Sequence, residues 1–106
     1  MALSPSVAAQ YGKQGIRCNA IMIGFVLNDH AQKSVPGEIK QIQLAQHLTP
    51  GLGGPRQIAD VVAFLAREES AFITGATIPV DGGFTSHSPA MVALRDYFER
   101  QGSNKI

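Results

Sequence analysis

A single cysteine in 106 residues, Cys18, excludes an internal disulfide, and its place in an apolar stretch suits a reduced, packed thiol. Tryptophan is absent, and nine Lys plus Arg face eight Asp plus Glu with no basic run, so the electrostatic footprint of a nucleic-acid binder is missing. The longest apolar run, Val61 to Ala66, is far too short to cross a bilayer, and the N-terminus lacks the charged-then-apolar order of a secretory signal. These absences point to a cytoplasmic protein with no membrane or nucleic-acid partner. His30, His47 and His87 are too far apart for a local metal motif and lack Cys or carboxylate partners at ligand spacing. They read as surface histidines, and no metal ligand is assigned.

What is present is ordinary globular material, 44% hydrophobic and enough for one domain at most. The chain is organised around PRQIADVVAFLAREESAFITGATIPVDGG, Pro55 to Gly83. Pro55 suits a first helical turn, and Ile58, Val61, Val62 and Leu65 recur on one helical face. Thr74-Gly75 then turns the chain into a strand over Ala76 to Val80, closed by Gly82-Gly83. Pro79 cannot donate a ladder hydrogen bond, which places this strand at a sheet edge. Asp81 reads as a turn residue bonding local backbone, and Asp60 as part of a solvated helix face.

Upstream, Ala2 to Tyr11 carries helical spacing from about Ser4 and is stopped by Gly12. Ile16 to Ile23, IRCNAIMI, is a mostly apolar run between glycines and predicts a strand buried on both faces, with Asn19 bonded to neighbouring backbone. The long connection from Gly24 to Gly54 is expected to cover a site and to hold a weak amphipathic helix in EIKQIQLAQHL, residues 38–48. A last helix has Ser88 as N-cap, Pro89 in its first turn, Met91, Leu94 and Phe98 on one face, and Gly102 as its stop. Two parallel strands joined by a crossover helix are too few to be stable in water. A monomer of these residues alone is therefore expected to be unstable or molten.

Three segments together, SVAAQYGKQ at Ser6 to Gln14, GIRCNAIMIGFV at Gly15 to Val26 and Pro55 to Gly83, resemble the C-terminal part of the short-chain dehydrogenase/reductase family. The resemblance covers roughly residues 2–84 of one partial domain and leaves 85–106 as a helical tail. It implies an α/β fold, the C-terminal part of a Rossmann-like doubly wound parallel sheet. On this reading Ile16 to Ile23 is the sixth strand of seven and Thr77 to Val80 the seventh, at an edge whose subunit contacts make a homo-oligomer expected. It also implies NAD or NADP as cofactor and an alcohol or ketone as substrate in the complete family protein.

The family's Gly-rich G-x-x-x-G-x-G cofactor turn does not occur in these residues, and Gly51, Gly53 and Gly54 follow a loop rather than a strand. The family's catalytic Tyr has a Lys four residues later, whereas Tyr11 is followed at that spacing by Gly15, so no catalytic residue is assigned. The Tyr and Lys would lie before Met1, making a missing N-terminal portion the expected partner. The family's P-G-x-V/I-x-T segment, which holds the nicotinamide carboxamide, matches Ile23 to Asn28. Gly24 and the Val26 backbone carry over, and Asn28 stands in place of the Thr, which gives Gly24, Val26 and Asn28 as candidate cofactor contacts. A Gly needed only to leave a strand is the equally open alternative for Gly24. The rival function is an interaction module that self-associates without catalysis.

Overall fold

The structure, a computed structural model, describes residues 3–102. Helix α1, Leu3–Tyr11, runs into a 3₁₀ turn at Gly12–Gln14 that ends on Gly15 in the left-handed region, φ 83°. Strand β1 is Ala20–Ile23. The connection holds two helices, α2 at Asp29–Ser34 and α3 at Gly37–Ala45, and α4 follows at Pro55–Ala66. Strand β2, Thr77–Val80, and α5, Pro89–Arg100, complete the order. The two strands pair in parallel, Ala20 against Thr77 through Ile23 against Val80. The result is an α/β unit, a helical crossover between two parallel strands.

The first strand is shorter than the apolar run suggested, because residues 16–19 are held by side chains instead of a ladder. The Arg17 guanidinium donates to the carbonyls of Ser70 at 3.0 Å, Ile73 at 3.2 Å and Arg67 at 3.2 Å. Asn19 donates to the Ile73 carbonyl and accepts from the Ala76 N–H, both at 3.1 Å. The Cys18 carbonyl accepts from the Ser4 hydroxyl at 2.9 Å and from the Gly75 N–H at 2.8 Å. Asn19 thus has the backbone partners expected of it, and these bonds bring β2 into register.

Backbone alternation decides what each strand edge offers. The Ala20 N–H donates to the Ala76 carbonyl at 2.9 Å and the Gly24 N–H to the Val80 carbonyl at 3.1 Å. In a parallel pair alternate residues face alternate neighbours, so Ala20 and Met22 face β2 while Ile21 and Ile23 face the opposite edge. On β2, Ile78 faces β1 and Thr77 and Pro79 face outward. Pro79 therefore stands where its missing N–H breaks no bond, as an edge proline must.

Burial departs furthest from expectation. Among the described residues only Leu27 and Val92 are buried apolar side chains, and Ile23 is 56% exposed rather than enclosed. On α4, Ile58, Val61 and Leu65 are half-buried while Val62 remains exposed. The radius of gyration is 17.7 Å, against about 13 Å for a compact domain of this length. The accessible surface is 7640 Å², against roughly 5,700 Å² for a compact monomer of 11.3 kDa. A two-stranded sheet has too little apolar area to close around itself. None of the described helices is long and apolar enough to cross a membrane.

Candidate functional site

The carboxyl ends of β1 and β2 meet the start of the Gly24 to Asn28 segment and the Asp81-Gly82-Gly83 turn. Open parallel sheets bind ligands in the crevice outside their strands' carboxyl ends. A cleft of about 380 Å³ opens there, lined by residues that include Met22, Gly24, Phe25, Gln43, Asp81 and Thr85. A larger concavity, about 660 Å³, is lined by Ile21, Ile23, Ile58, Val62 and Leu65 together with the polar side chains of Arg17, Asn19 and Glu68.

Gly24 is required by packing. A Cβ there would stand 2.7 Å from both Cα and Cβ of Asp81, closer than real contacts allow. Val26 pairs with Gly53 in an isolated parallel bridge, which ties the segment to the approach of α4. Asn28 is the N-cap of α2, its Oδ1 accepting from the Ala31 N–H at 2.8 Å. Its carbonyl oxygen is thus engaged, and its amide nitrogen retains donor capacity. Of the three, Gly24 lines the cleft, and Val26 and Asn28 follow it outside the lining. Helix α2 was not foreseen, although Asn28 followed by Asp29 is an N-terminal signal.

Asp81 holds the opposite wall. Its Oδ1 accepts from the Gly83 N–H at 3.0 Å, and its Oδ2 accepts from the Thr85 hydroxyl at 2.6 Å and the Thr85 N–H at 3.2 Å. The Thr85 hydroxyl is the main cause that holds its carboxyl below the usual aspartate value. Burial opposes it, and the Thr85 and Gly83 N–H groups and the charge of His47 add to the lowering. The turn-residue role expected for Asp81 is borne out, with Thr85 as an unforeseen partner.

His47 corrects the reading of all three histidines as surface residues, because it is only 4% exposed. Its Nδ1–H donates to the Gln43 carbonyl at 2.6 Å, and its ring meets Phe84 edge-on at 5.6 Å. Gly82, at φ 62°, leaves the space the ring occupies, since a Cβ there would come within 2.6 Å of it. Imidazole packing against a glycine 35 residues away leaves no local signature in the chain. His87 is half-buried, with Nδ1 at 3.1 Å from the Gly83 carbonyl and Nε2 at 3.3 Å from the Gln46 side chain. Among the described residues no group of three His, Cys, Asp or Glu could hold a metal ion.

The donor set beside the cleft is backbone groups and one side-chain amide. Gly24 to Asn28 offers backbone groups and an amide donor of the kind that would hold a carboxamide. No phosphate cradle accompanies them, because the Gly54 N–H at the start of α4 is already taken by the Gln57 Oε1 at 2.9 Å.

Comparison with known proteins places this geometry. Residues 1–85 match the family model described as enoyl-(acyl carrier protein) reductase. The chain is 45% identical over 89 residues to the 7alpha-hydroxysteroid dehydrogenase of Bacteroides fragilis, covering 84% of this chain and 34% of that protein. It superposes on an oxidoreductase of the short chain dehydrogenase/reductase family from Burkholderia thailandensis with a TM-score of 0.78 at 26% identity, over 91% of this chain and 37% of the other. It also superposes on an NAD-bound 3-oxoacyl-[acyl-carrier protein] reductase from Brucella melitensis, with a TM-score of 0.66 at 33% identity over 77% and 29% of the two chains. The chain spans about a third of the length of the curated relatives it matches.

Proposed function

The chain belongs to the short-chain dehydrogenase/reductase family, and on that premise we propose that it supplies the carboxyl-terminal part of an NAD(P)-dependent oxidoreductase. The complete protein transfers a hydride between the nicotinamide and an alcohol or ketone carbon. The observation that carries this reading is the cleft at the carboxyl ends of the two parallel strands, with Gly24 and Phe25 in its lining.

In this reading the bound dinucleotide supplies the hydride, and the chain's own residues position the nicotinamide. Gly24 lets the loop leave β1 against Asp81, the Val26 backbone and the Asn28 amide nitrogen offer hydrogen bonds to the carboxamide, and α3 covers the cleft through Gln43. The catalytic Ser, Tyr and Lys of the family have no counterpart at matching positions here, so the chain by itself is inactive. Fluorescence titration with NADH and NADPH tests this. The isolated chain should bind neither tightly, and a protein completed by the rest of the family fold should bind one of them and reduce a ketone. Reduction of a ketone by the 106-residue chain alone, abolished by a substitution within it, would contradict the proposal.

A further inference from the structure

Helix α3 is fastened at one end. None of its residues is buried, and Ile39 and Ile42 are 44% and 66% exposed. Its attachments to the sheet lie just past its C-terminus. The Leu48 N–H donates to the Gly82 carbonyl at 2.7 Å, and the Leu48 side chain fills the space that a Cβ on Gly83 would enter. The buried His47 ring stands over Gly82, and its Nδ1–H reaches back to the Gln43 carbonyl at 2.6 Å. A helix with no buried contacts opens locally unless its ends are tied, so the position of Gln43 depends on these bonds. Gln43 lines the cleft with Asp81 and Thr85, whose side chains are engaged with each other. The Gln43 amide makes no hydrogen bond among the described residues, which leaves a donor and an acceptor facing the cleft.

We propose that His87 is a positioning residue that fixes this end of α3 and thereby places Gln43 to hydrogen-bond an oxygen of the substrate. The substrate in this inference rests on the oxidoreductase reading above, whereas the fixing of α3 rests on geometry alone. His87 lies beyond residues 1–85, the stretch that matches the family model, so the family pattern does not prescribe it. Its half-buried ring spans two elements. Nδ1 is 3.1 Å from the Gly83 carbonyl, which can only accept, so Nδ1 carries the proton. Nε2 is 3.3 Å from the side-chain amide of Gln46, the C-cap of α3. That amide answers a bare Nε2 with its nitrogen and an Nε2–H with its oxygen, so the link holds in either charge state of the ring. The bond to Gly83 is local, four residues back, while the bond to Gln46 joins residues 41 apart. The second bond is the one that ties α3 to the segment after β2.

The test joins the 106 residues in one polypeptide to the part of the Bacteroides fragilis 7alpha-hydroxysteroid dehydrogenase outside the matched region. A 7alpha-hydroxysteroid is the probe, with NAD or NADP as the oxidant. Two variants separate the bonds of His87, because His87→Asn keeps an amide near the place of Nδ1 and His87→Gln keeps one near the place of Nε2. Hydrogen exchange is followed by mass spectrometry on peptides covering 46–49 and 20–24. His87→Asn should speed exchange over 46–49 about tenfold, leave 20–24 unchanged, and raise KM for the probe about tenfold with kcat little altered. His87→Gln should restore both readouts. Gln43→Ala should raise KM by a similar factor without speeding exchange. Identical behaviour of the Asn and Gln variants overturns the proposal, and so does equal acceleration over 20–24, which marks a role in overall stability alone. Faster exchange over 46–49 with KM unchanged overturns the placement of Gln43. If the unsubstituted fusion does not oxidise the probe, exchange still decides whether His87 fixes α3, and the failure counts against the oxidoreductase reading alone.

Discussion

At the carboxyl end of β1, Gly24 lies against Asp81, and the aspartate's acceptors are filled by Gly83 and Thr85. Along the free edge of the same strand, Ile23 is 56% exposed and the Val62 side chain opposite it 51% exposed. One region is finished within the chain, by Asp81 and its near neighbours Gly83 and Thr85, and the other is finished by nothing among the described residues. The difference separates two kinds of information. Turns and strand exits are specified locally by glycines and short polar side chains, whereas a sheet edge is specified by a neighbour that can be far away in the chain.

The contrast can be broken first at its tightest contact. Gly24→Val should destabilise the assembled protein by about 3 kcal/mol, read as a drop in urea midpoint, because Asp81 backbone atoms cannot yield to a side chain. Asn19→Ala should cost about 2 kcal/mol by the same measurement, since it strands the Ala76 N–H and leaves the Ile73 carbonyl to Arg17 alone. Asp81→Asn should cost about 1 kcal/mol at neutral pH. It should also flatten the acid limb of stability. The folded carboxyl is held below its ordinary value, so its contribution is complete above about pH 4, the unfolded value, and is lost as pH falls through the lowered folded value. Asp60→Ala should change stability by less than about 0.5 kcal/mol, because its 3.5 Å pairing with Arg56 is almost fully solvated. A large loss there would mean that the outer face of α4 is also covered.

Much of the sheet was legible in the residues. Pro79 announced an edge, Asn19 announced backbone partners, and the Pro55 to Gly83 pattern gave α4 and β2 within a residue of their observed bounds. The late start of the first strand was hidden, because an apolar run does not reveal that Arg17 reaches carbonyls more than fifty residues away. Helix α2 was overlooked where the Asn28 cap was read for its likeness to a cofactor contact. The burial of His47 depends on the missing side chain at Gly82, and Thr85 reaches Asp81 through a turn that a D-G-G-F-T spelling could have suggested. Of the cleft, the Gly24 exit from the strand was readable, while the Gln43 wall depended on how α3 folds back.

The central claim is that these residues form a correctly shaped part of a dehydrogenase sheet that cannot close its own core. Differential scanning calorimetry of the isolated chain, at a concentration where light scattering shows a monomer, tests it most directly. The account predicts a broad, weak transition or none. A sharp two-state transition with the enthalpy of a complete 100-residue domain, about 70 kcal/mol near 60 °C, would contradict it.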